Sequence, residues 1–513
     1  MSTVAENNKR IAKNTLFLYF RMLFTMLVSL YTSRVVLSTL GVEDFGIYNV
    51  VGGVVVLFSF INGAMSTATQ RFLSFELGRK DIPETKRVFS MSVTAHISIA
   101  LLIVLLAETV GLWFLNTQMN FPNGKLEIAN WVYQISILTA CIGIIQVPYN
   151  ASIIAHEKMS FYAYISIVEV ALKLLLVFLL VHIDFNKLKV YSILICVVAL
   201  IIFGIYRFYC KRKLETCHYR FFWDKVLYKK LMSFSGWSLF GSVATMSAGQ
   251  GVNMILNIFH GVTLNAAMGI ANQVNSQINQ FVVNFQMAFR PQIVKIYAAG
   301  ENNYLVGLIH RTSKYSFLLL SLISIPIMIN MNFILEIWLG VVPDYAPIFC
   351  QMMMVYALLE SLSAPFWMTV QATGRIRNYQ ILISILLSMN IVFSYILLKF
   401  GFSPISIFYI KIVIDILCFI TRICFINYFI REFSVKSYIK GVVVKILKAA
   451  VPVIIIVLML LNYLQPENWA RLFFSAFIFY ILYLPLVYFV LLEKNERIKI
   501  HSMLNKKLRS KKK

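Results

Sequence analysis

Stretches of about twenty apolar residues recur from one end of this chain to the other, and no other feature narrows its fold as far. The run Ile97–Leu115, ISIALLIVLLAETVGLWFL, holds a single charged residue, Glu108. A helix rises 1.5 Å per residue, so roughly 20 residues cross the ~30 Å hydrocarbon core of a bilayer. No water is available there to satisfy backbone N–H and C=O groups, which leaves helices and closed barrels as the spanning structures. Barrel strands would read instead as segments of about ten alternating residues. Composition agrees: 59% of the 513 residues are hydrophobic and 13% charged, with a mean hydropathy of +0.75, where soluble domains carry about 25% charged residues. The sequence predicts an all-α polytopic membrane protein.

Fourteen spans are predicted, at 14–38, 46–76, 88–116, 128–155, 161–182, 189–210, 230–260, 265–296, 311–334, 345–374, 379–400, 405–430, 445–464 and 469–491. An even number puts both termini on one side. Several spans are long for one crossing, which implies tilt or extension beyond the bilayer. The opening MSTVAENNKRIAKN is polar, and the segment after it is too long for the apolar core of a cleavable leader. Span 1 is therefore expected to act as its own targeting signal.

The formal charge of +25 does not call for nucleic acid as a partner. One set of connections holds Lys9, Arg10, Lys13, Arg79, Lys80, Lys86, Arg87, the cluster between Arg207 and Lys230, Arg375, Arg377, Arg431, Lys436, Lys440 and the tail LNKKLRSKKK. The opposite set holds Lys125, Lys187, Lys189, Lys399 and Arg471 beside Glu43, Asp44, Glu127, Asp184, Glu336, Asp344 and Glu467. Lys and Arg collect in cytoplasmic loops, so both termini are expected in the cytoplasm and the chain in the cell inner (cytoplasmic) membrane. The lysine tail is expected to lean on anionic headgroups; such runs also serve as interaction tails. The seven cysteines form no CxxC pair, and Cys210, Cys217 and His218 lack finger spacing, so no metal is expected.

The chain repeats itself. VPYNASIIAHEKMSFYAY from Val147 matches APFWMTVQATGRIRNYQI from Ala364 at an offset of 217, pairing Pro148 with Pro365, Tyr149 with Phe366, Ala155 with Ala372, Lys158 with Arg375 and Tyr162 with Tyr379. Leu40–Asp81 matches His260–Asn303 at an offset near 220. The expected organisation is an N-lobe at 1–225 (spans 1–6), a C-lobe at 226–440 (spans 7–12), and an appendix at 441–513 holding spans 13 and 14 and the basic tail. Two six-helix lobes entering the membrane in the same direction are related by a pseudo-two-fold axis along the membrane normal. Transporters built this way place substrate between the halves.

No GxSxG, Walker A or HExxH motif is present, so neither an enzyme nor a cofactor is expected. Polar residues inside the spans are the informative ones, because a charge at mid-membrane costs roughly 2.5–3.5 kcal/mol and faces an interior or a cavity. In span 1, Arg21, Thr25, Ser29 and Thr32 share one face, with Arg34 on another. Span 7 aligns Ser235, Ser238, Ser242, Thr245, Gly249 and Asn253, as either a cavity wall or a packing seam of small residues. In span 8, Asn272, Asn275, Asn279, Gln286 and Arg290 form one strip and Gln273, Gln277, Gln280 and Asn284 a second. Val274, Ile278, Phe281, Val282, Phe285 and Phe289 fill the remaining arc. That apolar arc is expected to face lipid, and the amides a hydrated passage; a buried interhelical network is the other reading. Glu169 and Lys173, and Lys411 and Asp415, stand at i,i+4 on corresponding spans. They are either self-neutralising pairs or gating or proton-coupling groups. Glu360 has no partner in its own span and is the best candidate for a protonation switch.

The segment SRVVLSTLGVEDFGIYNVVGGVV, with Leu40, Gly41, Phe45 and Gly46 in an LGxxxFG-like turn, resembles the start of Wzx-type polysaccharide flippases. TATQRFLSFELGRKD and VPYNASIIAHEKM are similar to the same group. These proteins belong to the multidrug/oligosaccharidyl-lipid/polysaccharide exporter superfamily. The resemblance implies alternating-access transfer of an undecaprenyl-pyrophosphate-linked oligosaccharide, an O-antigen or capsule repeat, to the periplasmic leaflet. It implies a polymerase and glycosyltransferases as associates. On it, Arg21, Arg34 and Arg290 would meet the pyrophosphate and Asn272, Asn275, Asn279 and Gln286 the sugar hydroxyls. A multidrug cation antiporter of the same superfamily and a lipid II flippase are the competing expectations. Span 1 carries no Asp or Glu, which counts against the antiporter.

Overall fold

In a computed structural model, residues 14–498 are described apart from 29–30, 33–34, 37–38, 42–43, 45–46, 49–50, 52–58, 118–123, 183–184, 340, 465–467 and 494–495, and among the described residues there is no β-strand. The helices are α1 (Asn14–Val28), α2 (Ser59–Arg79), α3 (Ile82–Thr117), α4 (Leu126–Ala155), α5 (Met159–Val181), α6 (Lys187–Lys213), α7 (Lys225–Ala298), α8 (Asn302–Ile329), α9 (Met331–Leu339), α10 (Ala346–Thr373), α11 (Arg377–Lys399), α12 (Ser406–Phe429), α13 (Val435–Leu464) and α14 (Trp469–Leu491). Among the described residues, nine helices are long and apolar enough to cross a membrane. α12 falls outside that group because Lys411, Asp415 and Arg422 interrupt it. α1, α2, α12 and the two spans within α7 supply the rest, so each of the fourteen predicted spans has a helical counterpart.

The 74-residue α7 differs from the two separate helices expected at 230–260 and 265–296. Its hydrogen-bonded ladder is unbroken, yet it cannot be a straight rod. Phe72 and Gly78 lie six residues apart on α2, about 9 Å. The Phe72 ring lies 5.8 Å from that of Phe234, and a Cβ at Gly78 would approach the Lys295 carbonyl to 2.5 Å. On a straight helix Phe234 and Lys295 would be about 90 Å apart. α7 therefore turns back on itself, and the predicted pair survives as two arms of one helical hairpin.

The chain divides into two compact units. The first comprises Met1–Thr245, Met287–Glu301 and Gln371–Ser384. In it α4 packs against α2, α3 and α6, around Tyr133, Val132, Ala129 and Ile103 in one cluster and Phe89, Met91, Ile153 and Val198 in another. The second comprises Met246–Gln286, Asn302–Val370 and Ile385–Lys513. It is centred on fully buried aromatics: Phe366 lies 4.8 Å from Tyr438, and Phe349 4.8 Å from Phe408. α14 is fastened to α8 by polar contacts, Ser321 to Tyr483 at 2.9 Å and Asn330 to Ser475 at 2.7 Å.

The connections are set by local chemistry. Asp81, Asn186 and Asp224 cap α3, α6 and α7 by accepting backbone N–H groups of the first turn, the ordinary role of Asp and Asn there. Pro148 in α4 and Pro365 in α10 are each followed four residues later by a hydroxyl that bonds the proline's own carbonyl, Ser152 at 2.8 Å and Thr369 at 2.7 Å. The two sites are 217 residues apart. Left-handed turns recur at the same offsets: Glu157 (φ 60) with Gly374 (φ 76), and Lys80 (φ 60) with Gly300 (φ 74).

Candidate functional site

Polar side chains gather in two places, one in each unit. In the first unit the C-terminal part of α2 meets the ends of α7 and α10. Arg71, 8% exposed, donates through Nε and Nη2 to the Ala372 carbonyl at 3.3 and 2.8 Å. That oxygen is one of the last carbonyls of α10, which have no partner within their helix and carry the negative end of its dipole. The guanidinium lies against the rings of Phe72, Phe75 and Phe234 at 4.6, 4.7 and 5.9 Å. Gly374 makes room for it: a Cβ there would stand 2.7 Å from Arg71 Nη2.

Beside this, the turn after α4 holds Glu157 with its side chain 1% exposed. It accepts from Lys295 Nζ at 2.8 Å and from Gln292 Nε2 at 3.0 Å, both on the last turns of α7. Further back on α7, Arg290 Nη2 donates to Gln371 Oε1 at 2.8 Å. The sequence pointed to Arg290 and passed over Arg71, Glu157, Gln292 and Lys295. Arg71 and Glu157 lie inside the quoted segments TATQRFLSFELGRKD and VPYNASIIAHEKM, so the signal was present as a basic and an acidic residue at span ends. Their pairing across 135 to 301 residues was not readable.

In the second unit α10 and α12 share a charge cluster in which Asp415 and Arg422 are buried and Glu360 and Lys411 half-buried. Glu360 Oε2 accepts from Arg422 Nη1 at 2.8 Å. Asp415, 5% exposed, stands two turns before Arg422 on the same face of α12. Lys411, one turn earlier, reaches the Met353 sulfur at 3.2 Å and lies 4.3 Å from the centre of the Tyr356 ring. Among the described residues no ion pair joins Lys411 to Asp415, so the i,i+4 partnership expected there gives way to contacts with α10. Arg422 was missed, although helical spacing places Lys411, Asp415 and Arg422 within about 40° of one another.

The other expected positions are placed separately. Glu169 and Lys173 form their ion pair at 2.6 Å, each more than a third exposed. Arg21 lies over the Tyr162 ring at 4.8 Å. Arg34 falls outside the described residues. In α7, Asn279 Nδ2 donates to Asn275 Oδ1 at 3.0 Å. Asn272, Gln273, Gln277 and Gln280 are exposed, and Asn275, Asn279 and Gln286 half-buried. Of the apolar arc expected to face lipid, four residues turn inward and Val274 and Phe281 are half-buried. Ile278, Val282, Phe285 and Phe289 are buried within the protein, because packed aromatic rings gain dispersion contacts that lipid tails supply less densely.

In the connections outside the spans, Asp224 has its carboxyl held below the usual range. Backbone N–H groups of Leu227 and Val226 and the nearby Arg87 favour its charged form. The hydrogen bond and charge of Lys86 do the same for Glu215. His156, at the turn beside Glu157, is pushed down by burial and by the neighbouring Lys295 and Lys158, so its ring is favoured neutral.

No family model matches the chain. An uncharacterized membrane protein of Bacillus subtilis (strain 168), EpsK, is 24% identical over 336 residues, covering 64% of this chain; the chain spans 64% of the length of that relative. Among solved structures, a transporter of the MOP superfamily from Pyrococcus furiosus has a TM-score of 0.69 at 13% identity, covering 83% of this chain and 96% of its own. Its binding pocket has been described as reversed in polarity. An outward-facing multidrug resistance MATE family transporter of the MOP superfamily gives 0.66 at 12% identity, covering 83% and 97%, and a MATE protein in a bent conformation 0.68 at 14%, covering 82% and 96%. The fold is that of MATE-like transporters, and the chain is a multi-pass membrane protein of that architecture.

Proposed function

We propose that this protein is a flippase that moves a lipid-pyrophosphate-linked oligosaccharide across the membrane by alternating access. The observation that carries this reading is the orientation of the second arm of α7. Four amide side chains, Asn272, Gln273, Gln277 and Gln280, are exposed there, while Ile278, Val282, Phe285 and Phe289 of the same arm are buried. An amide left without a partner in hydrocarbon costs several kcal/mol, so an arm turned this way belongs beside water. Neutral donors and acceptors in a row suit hydroxyl-rich cargo, and Arg21 and Arg290 supply positive charge for a phosphate. Solved MOP-superfamily structures include one whose reversed pocket polarity is described as suggesting a different function, which supports a role other than drug export for this fold.

In this reading the contacts of Arg71, Glu157 and Lys295 close the passage on the side of the basic connections. Opening it exchanges the Glu157 pair for water on both partners. The Glu360–Arg422 cluster, with Lys411 and Asp415, couples that exchange to protons. Breaking a charged hydrogen-bonded pair costs about 1.5–3 kcal/mol, within reach of a bound ligand's preference for one state.

The MATE-like fold also favours export of cationic drugs as a second reading. Two outcomes separate them. In a deletion strain rescued by the wild-type gene, Arg21→Ala combined with Arg290→Ala at equal protein level is expected to give no rescue; full rescue overturns the phosphate assignment. Resistance to cationic dyes conferred on a drug-sensitised strain would favour the second reading.

A further inference from the structure

A polar groove lies within the second unit, on residues other than those of its charge cluster. It is an open groove of about 510 Å³ between α9, the turn ahead of α10 and the start of α12. Such a volume falls within the roughly 300–1,000 Å³ of small-molecule pockets. Its wall carries the carboxylate of Asp344, the amides of Asn332 and Gln351, the phenol of Tyr345, and an apolar floor from Ile348 and Ile405. Gln351 is held in place by donating Nε2 to the Met328 carbonyl at 2.9 Å, which leaves its own carbonyl oxygen as an acceptor. Among the described residues Asp344 takes part in no ion pair, and no Lys, Arg or His lines the space.

The backbone of Tyr345 marks the place further. Its φ is +65°, a left-handed conformation that is an outlier for a bulky side chain. The equivalent connection of the first half also makes a left-handed turn just before its helix, and there the residue is Gly124, at φ +80°. Glycine adopts that turn without strain. The second half accepts the strain and gains an aromatic ring, 41% exposed, at the rim of the groove. Strained residues of this kind collect at ligand clamps.

We infer that this groove binds a neutral saccharide. An aromatic face takes the C–H side of a pyranose ring. A carboxylate and two amides take its hydroxyls, and the absence of a cationic side chain excludes a phosphate or sulfate. Only the source of the saccharide rests on the flippase reading; the binding chemistry stands on Tyr345, Asp344, Asn332 and Gln351.

The test is saturation-transfer difference NMR on the full chain in lipid nanodiscs free of glycoside detergent. The probes are cellobiose, N,N′-diacetylchitobiose and maltose. Transfer to at least one disaccharide is expected, falling at least five-fold in Asp344→Asn and in Tyr345→Gly. The glycine variant removes the ring and relieves the backbone, so its thermal midpoint should equal or exceed that of the wild type. Arg290→Ala should keep the wild-type signal, which separates this site from the proposed transport route. Three outcomes would overturn the inference: no transfer to any probe, transfer indifferent to both variants, or calcium binding lost in Asp344→Asn without a saccharide signal. None of the three bears on rescue by the Arg21 and Arg290 variants, so the two readings fail separately.

Discussion

Glu360 and Arg422 show how one side chain changes the meaning of another. A lone carboxylate in a span reads as a group waiting for a proton. With a guanidinium at 2.8 Å its charged form has a partner, and the question becomes what breaks the pair. Removing one member of a buried pair is costly because the other charge stays uncompensated, and here Arg422 is buried while Glu360 is a third exposed. Arg422→Ala is expected to lower the thermal midpoint of the purified protein clearly, and Glu360→Gln added to it should restore much of the loss. Equal midpoints for the single and double variants would remove the pair from the stability of the second unit. The spacing of Lys411, Asp415 and Arg422 was legible in the sequence. Their partners on α10 were not, because helical periodicity fixes the face of a residue and says nothing about which helix lies opposite.

At the scale of elements, departures from regular helix mark close contacts. α3 passes through a π-turn at Ala107–Gly111, where Tyr133 of α4 donates to the Ala107 carbonyl at 2.9 Å. A Cβ on Gly111 would overlap the Tyr133 hydroxyl. Gly111→Ala is therefore expected to destabilise the first unit by about 1–3 kcal/mol, the usual cost of overpacking. Tyr133→Phe in the same chain should recover most of it, as read by intrinsic-fluorescence melting; no recovery would place the strain elsewhere. The sequence offered GLWFL simply as apolar helix. The hairpin in α7 has the same origin. Its two arms were readable as separate apolar periods, but the continuous ladder between them was not, since no proline or glycine pair forces a break there.

For the whole molecule, the distribution of Lys and Arg makes a prediction that stands apart from any side-chain contact. Reporter fusions at the two termini should report the same, cytoplasmic, side, with a fusion after Asp344 reporting the opposite one. A terminus on the far side would overturn the fourteen-span topology. The helical class and the doubled pattern of turns were determined by the sequence. Apolar run length is dictated by bilayer thickness, and turn residues act on their own backbone. The tertiary structure alone decided which polar groups meet: Arg71 with Ala372, Glu157 with Lys295, Glu360 with Arg422. It also buried Ile278, Val282, Phe285 and Phe289 of α7 and left Asn272, Gln273, Gln277 and Gln280 exposed. A residue's hydropathy sets its cost in lipid, whereas its direction is set by the packing of every helix around it, a quantity distributed over the chain and carried by no single segment.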